Sequence, residues 1–397
     1  MTTLQDVHLI SAVRTPFGRN RGGLSTVRTD DLAALPIAEL VARHPALDPA
    51  SVDDVYLGNT NGAGEENRNV ARMAALLAGL PVTVPGVTLN RLCASGGEAF
   101  VQAGRTVATG ESDLVIAGGV EGMSRAPYVV PKPEEALPRM MAMHQTTVGW
   151  RMANPKFPHA WTDSLGACAE RVAAEIGIGR EEQDAWAARS HQLANAAWNN
   201  GCHEDLVLPV ETAEGTVTRD EGIRPDSTVQ TLRALRPAFT ADGSVTAGNS
   251  SPISDGALAA LVGTRATADR LGAEPLGQIL GSATVAVEPD RFSIAPVPAI
   301  TRLLDRTGFS HEDIDLWEIN EAFAAMVLST RHHLPKIDDD RLNVNGGAIA
   351  LGHPLGASAP RVVVDLCREL RRRGGGLGIA AACIGVGQGQ AILVKVA

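Results

Sequence analysis

The chain has 397 residues, 44% hydrophobic and 20% charged, the balance of a folded globular protein of roughly two or three domains rather than a disordered one. Lys and Arg number 35 against 45 Asp and Glu, a formal charge of −10, so no basic face is expected for a nucleic-acid backbone. Five cysteines without a C-x-x-C pair, and a start without a basic leader, point to a reduced, cytoplasmic protein.

Aromatics are only 4%, so the core is expected to be built of small residues. In chain order, Val87–Asn90 reads as a buried strand, Ala94–Thr109 as a helix stopped by Gly110, and Leu114–Gly118 as a second buried strand. Arg125 to Gly243 breaks this style with prolines, Trp150, Trp161, Trp186, Trp198 and a charged helix at 180–200, and reads as an inserted domain. The first α/β unit resumes near Ser244. The last third repeats its opening: Ile314–Ile319 as strand, Glu321–His333 and Ala359–Arg373 as helices, Leu377–Cys383 as strand. Gly374–Val394 carries no charge and is long enough for a membrane span. Its glycines, with Gln388 and Gln390, favour two buried strands joined by a glycine turn, and no membrane is expected. The class is α/β, two similar halves with an insertion.

Three turns carry the chemistry. Asn90-Arg91-Leu92-Cys93-Ala94-Ser95-Gly96-Gly97 puts a cysteine where a strand turns into a helix, and the helix N-terminus is expected to lower its pKa and to offer N–H groups to an oxyanion. Asn345–Ser358 holds His353 in a Gly-rich turn, where an imidazole can serve as a base. Cys383-Ile384-Gly385-Val386-Gly387-Gln388-Gly389 ends a strand with a second cysteine able to exchange a proton. Asn320, at a strand-to-helix junction, reads either as a helix cap or as an amide that holds a water or a carbonyl oxygen. The loop Thr246–Pro252 offers hydroxyls. No zinc-type spacing, no Walker sequence and no G-x-G-x-x-G occurs, so neither a metal site nor a dinucleotide site is expected. Two cysteines and one histidine on turns suit an acyl transfer in which one thiolate attacks a carbonyl, the imidazole takes its proton, and the other thiol serves a carbon acid.

From Ser11-Ala12-Val13-Arg14-Thr15-Pro16-Phe17-Gly18 to the Cys383 loop, with these blocks in the same order, the chain resembles the thiolases. The resemblance implies a five-layer αβαβα fold, with a first half at 1–124 completed by 244–272, a coenzyme A-binding loop domain at 125–243, and a second half at 273–397. It implies Cys93 as the acylated nucleophile, His353 as its base, Cys383 as the acid/base at C2, and Asn320 as holder of a water beside the histidine. It further implies an oxyanion hole from the N–H groups of Cys93 and Gly385, coenzyme A contacts at Ser251 and Arg224, no covalently bound cofactor, coenzyme A and acyl-CoA as substrates, and a homodimer or homotetramer. Gly62–Arg72, Thr146–Arg151 and Val386 look like the 3-oxoadipyl-CoA branch, where a cation would suit a dicarboxylate-derived chain and Arg68, Arg72 and Arg151 are candidates. Ser164-Leu165-Gly166 stands where acetoacetyl enzymes carry His-Met-Gly, and Ala359-Pro360 replaces Gly-Ala. An acetoacetyl-CoA thiolase is the alternative, and a catalytically silent scaffold the remote one. Retention of Cys383 disfavours a carrier-protein ketoacyl synthase.

Overall fold

The computed structural model describes residues 4–397. In the first half, β1 (His8–Arg14), β2 (Asp54–Gly58), β3 (Val87–Leu89), β4 (Leu114–Gly122) and β5 (Ser254–Gly263) form a sheet in the order β3-β2-β4-β5-β1. In the second, β6 (Gly277–Ala286), β7 (Leu316–Ile319), β8 (Gly376–Ile384) and β9 (Gln388–Val396) follow the order β6-β9-β8-β7. The pairings correspond strand for strand. β1–β5 and β5–β4 are antiparallel and β4–β2 parallel; β6–β9 and β9–β8 are antiparallel and β8–β7 parallel. The two halves of the sheet join between β1 and β6, where His8 and Leu9 meet Gln278 and Gly277 and the Ile279 N–H donates to the Val7 carbonyl.

Helices α1 (Thr29–Arg43) and α2 (Val70–Leu77) cover the outer face of the first sheet. Helix α3 (Ser95–Thr109) and the long C-terminal helix Leu355–Arg372 lie between the sheets, and α6 (Pro296–Thr307) covers the outer face of the second. The layers therefore run helix, sheet, helix, sheet, helix. Within Arg125–Gly243, helices α4 (Leu165–Ile176) and α5 (Arg180–Asn199) pack on α7 (Ala324–His333), and Cys168, Ala169, Trp186 and Ala187 share one buried cluster with Phe292, Ile300 and Trp317. The insertion is thus bonded into the core of the second half. No helix among the described residues is long and apolar enough to cross a membrane.

The central helices, α3 and α8 (Leu355–Arg372), are buried on two faces, which explains their small residues. A Cβ on Gly96 would lie 2.3 Å from the Gly356 carbonyl oxygen, and one on Gly356 would lie 2.3 Å from that of Val120. Only glycine at both positions lets two helix N-termini meet over the ends of β2 and β4. Gly110 stops α3 at φ 75, as its position after the last apolar residue suggested.

Some expectations shift. Val87–Leu89 is the edge of its sheet and not a buried strand: Val87 is 39% exposed, while Leu89 is partly buried against the core. Strand β5 starts at Ser254, after a loop at 244–253 in which Asn249 donates to Asp184 and to the Ser244 carbonyl. Helix α7 starts at Ala324, because Asn320 to Phe323 are buried in a turn. Helix α8 starts at Leu355, four residues before the predicted Ala359. Pro360 therefore sits inside it, without an N–H for the Gly356 carbonyl. The uncharged stretch near the C-terminus forms the antiparallel pair β8–β9, as expected.

Candidate active site

The pseudo-repeat explains the position of the site. After β3 the chain turns through Cys93 into α3. In the second half, Leu342 bridges in parallel to Trp317 of β7, as β3 does to β2, and the chain then turns through His353 into α8. Cys93 and His353 thus precede equivalent helices whose first turns touch through Gly96 and Gly356. Cys383, near the end of β8, enters from the second sheet.

The nucleophile turn is tightly made. Asn90 Oδ1 accepts the Leu92 N–H at 3.0 Å, and Ser95 Oγ accepts the Arg91 N–H at 2.9 Å. Leu92 is held at φ 47, a left-handed conformation that costs a leucine about 1–3 kcal/mol. The N–H groups of Gly385 and of Cys93 itself point at the Cys93 sulfur, yet burial dominates and pushes its thiol up to about 11, with Glu121 adding to the rise. This corrects the expectation of a lowered pKa: at a buried helix start, desolvation outweighs the dipole. Burial also drives the Cys383 thiol well above its ordinary value, and the next cause is the neighbouring Cys93.

His353 is buried, and desolvation, then the charge of Arg361, lower its pKa to about 3. Its Nδ1 lies 2.6 Å from Ser358 Oγ, and that hydroxyl lies 2.8 Å from the Pro354 carbonyl. A hydroxyl has one proton. Given to Pro354, it leaves Ser358 as the acceptor of Nδ1–H, so Nε2 carries the lone pair. Nε2 lies 3.5 Å from Asn320 Nδ2. The resting site is therefore a neutral thiol with a neutral imidazole, and a base is required to generate the thiolate.

Asn320 does not cap α7; the cap position is Phe323. Beside Asn320, Glu321 accepts from Trp186 Nε1 at 2.9 Å, Ser190 Oγ at 2.6 Å and the Ile349 N–H at 3.2 Å, and so ties α5 to the turn ahead of His353. Ser251 reaches the same place, because its N–H and Oγ both donate to the Ala322 carbonyl at 3.0 Å. Arg224 stays apart from the cysteines. Its side chain is exposed and its N–H donates to His191 Nδ1.

Some members were not singled out in the sequence. Glu121, near the end of the buried β4, accepts from Asn59 Nδ2, Thr60 Oγ1, the Thr60 and Asn61 N–H groups, and the Gly356 N–H at 3.0 Å. Burial raises its carboxyl to about 7 against those donors. The acid lies beyond Gly118, where the strand was expected to end; Leu165 stood out only as part of Ser164-Leu165-Gly166, and Ser358 carried no signal. Leu165 lies near Gly385, since a Cβ there would be 3.8 Å from its methyls.

Two similar α/β halves meeting at a site with two cysteines and one histidine define an acyltransferase of the thiolase type. Residues 7–266 match the thiolase N-terminal domain and 273–396 the thiolase C-terminal domain, and the chain belongs to the thiolase family. It is 47% identical to a beta-ketoadipyl-CoA thiolase of Pseudomonas knackmussii, over 98% of this chain and 99% of that protein. It is 46% identical to the 3-oxoadipyl-CoA/3-oxo-5,6-dehydrosuberyl-CoA thiolase of Escherichia coli, over 99% and 100%. Among solved structures, the acetyl-CoA acetyltransferase of Bacillus anthracis superposes with a TM-score of 0.92 at 38% identity, covering all of both chains.

Proposed function

We propose that this thiolase cleaves 3-oxoadipyl-CoA, or a closely related 3-oxoacyl-CoA, with coenzyme A. The observation that carries the mechanism is the convergence of Cys93, the Gly385 N–H and Cys383 at one point, with a lone-pair Nε2 on the His353 turn. Two full-length relatives named for this substrate support the choice of acyl chain.

In the first step His353 Nε2 takes the Cys93 proton and the thiolate attacks C3. The oxyanion on C3 is met by the N–H groups of Cys93 and Gly385. The C2–C3 bond breaks, its electron pair goes to C2, and the Cys383 thiol protonates that carbon to release acetyl-CoA. Asn320 and protonated His353, through a water, stabilise the thioester enolate oxygen. In the second step the Cys383 thiolate takes the proton of coenzyme A, whose sulfur attacks the acyl group on Cys93; the Cys93–acyl bond breaks, the Cys93 thiolate takes back the proton held by His353, and the shortened acyl-CoA leaves. Neutral resting states suit this route, because each proton passes between groups already in the pocket and no buried charge waits unpaired.

Ser251, beside Asn320, and Arg224, on a segment whose Gly222 packs against the Ala350 carbonyl, are assigned to coenzyme A. The inserted segment 125–243 completes that binding face between the halves at 1–124 with 244–272 and at 273–397. Coenzyme A and acyl-CoA are substrates, and no covalently held cofactor takes part. The assembly is a homodimer or homotetramer in the cytoplasm; the open β3 edge supports burial against another copy.

The test is thiolysis of acetoacetyl-, 3-oxohexanoyl- and 3-oxoadipyl-CoA side by side. The highest kcat/KM is expected for 3-oxoadipyl-CoA, and a preference for acetoacetyl-CoA would refute the substrate.

A further inference from the structure

A 3-oxoadipyl chain ends in a carboxylate, and a pocket for it requires a cation close to the acyl site but not consumed by the fold. Three arginines of the sequence met the chemical requirement, and the structure separates them. Arg72 is spent on its own half: Nη1 bonds the Val84 carbonyl and Nη2 the Val82 carbonyl at 2.9 Å. Arg68 is exposed, on a left-handed turn at φ 66. Arg91, next to the nucleophile, points elsewhere, to Glu98 at 2.8 Å and Gln388 at 3.2 Å.

Arg151 differs. It is partly buried, and its one hydrogen bond among the described residues runs from Nη1 to the Thr146 carbonyl at 3.4 Å. Both neighbours that hold its loop connect it to residues that border the site. Thr146, itself buried, accepts from Asn61 Nδ2 at 3.0 Å, and Asn61 follows the Thr60 that Glu121 grips beside Cys93. On the other side, Trp150 Nε1 donates to the Asp163 carbonyl at 3.1 Å, two residues before Leu165, whose methyls lie near Gly385. The loop that carries Arg151 is therefore held between the segment after β2 and the start of α4, and most of the five N–H donors of its guanidinium have no partner among the described residues. Its charge has no anionic partner among the described residues, which leaves the planar fork open to a carboxylate supplied by a ligand.

The geometry points to Arg151 as the residue that binds the distal carboxylate of the acyl chain, a subsite that selects dicarboxylate-derived 3-oxoacyl-CoA over neutral chains of the same length. This inference rests on the substrate reading above. Arg151 touches no reacting atom in this assignment; it sets which acyl group is accepted.

The experiment compares 3-oxoadipyl-CoA with 3-oxohexanoyl-CoA, equal in chain length and different in terminal charge, for wild type, Arg151→Gln and Arg151→Lys. For the glutamine variant kcat/KM on 3-oxoadipyl-CoA should fall roughly 10- to 100-fold, the range of a charge-assisted hydrogen bond, with 3-oxohexanoyl-CoA unchanged. The lysine variant, which keeps the charge and loses the planar fork, should lose less, again on the dicarboxylate chain alone. Equal losses on both substrates, or no loss on either, would overturn the assignment while leaving the substrate reading intact. A wild type without preference for 3-oxoadipyl-CoA would instead overturn the substrate reading, and the subsite with it.

Discussion

Ser358 offers a sharp test of how the base is prepared. Ser358→Ala removes the only acceptor of His353 Nδ1–H, in a place where both residues are buried. A buried donor left without a partner costs about 1–3 kcal/mol. That cost falls on the Nδ1–H tautomer, the one with a free Nε2, so the competent fraction shrinks by the same amount. At about 1.4 kcal/mol per factor of ten, the first acylation step should slow roughly 5- to 150-fold. Substrate binding does not use this hydroxyl, so KM should hardly move. Single-turnover mixing of enzyme with 3-oxoacyl-CoA in the absence of coenzyme A reads the step directly, and a thermal melt shows whether α8 has survived. An acylation rate within about twofold of wild type, in a variant that melts normally, would refute the tautomer argument.

Other expectations follow from the same geometry. With the Cys93 thiol near 11, alkylation of the free enzyme by iodoacetamide should rise about tenfold per pH unit from pH 7 to 10, and a plateau below pH 9 would contradict the burial argument. His353, lowered to about 3, and His191 and His203, each lowered to about 4 by burial, are neutral in the folded protein. The unfolded chain takes up their protons first, so the stability they contribute is present above about pH 6.5 and lost as pH falls through their folded values; a melting temperature that rises on acidification from pH 7 to 5 would oppose this. Arg14 and Asp220 form a fully buried bidentate pair at 2.7 and 2.8 Å that joins β1 to the end of the inserted segment. Asp220→Asn should destabilise the protein by about 3–5 kcal/mol in denaturant titration, and a change below about 1 kcal/mol would show that the pair is dispensable.

Much of the fold was legible because the two halves rest on uninterrupted apolar strands. Leu114–Gly118, which the structure extends to Gly122, and the pair at the C-terminus show themselves by composition alone. The exposure of Val87–Leu89 was not legible, since an apolar run reads the same at an edge as in the middle of a sheet. Helix α8 was read four residues short because Pro360 suggests a start; its first turn is held instead by contacts with Gly96 and Glu121, distant in sequence. At the site, Cys93, His353 and Cys383 declared themselves as reactive side chains on turns. The state of Cys93 did not, because the dipole is a local feature and desolvation depends on what the whole chain lays over the sulfur. Glu121 was passed over because the strand was read only to Gly118, and the acid lies in its last stretch, just before Gly122. Ser358 was not visible, since a serine one turn after a histidine gains meaning only from the direction of its proton.

The most direct test of the central claim is mass spectrometry of the enzyme after mixing with 3-oxoadipyl-CoA alone, without free coenzyme A. The account predicts one succinyl group per chain, located on Cys93, with an equal amount of acetyl-CoA released, and neither product from Cys93→Ala. Succinylation at Cys383, or acetyl-CoA released by Cys93→Ala, would contradict it.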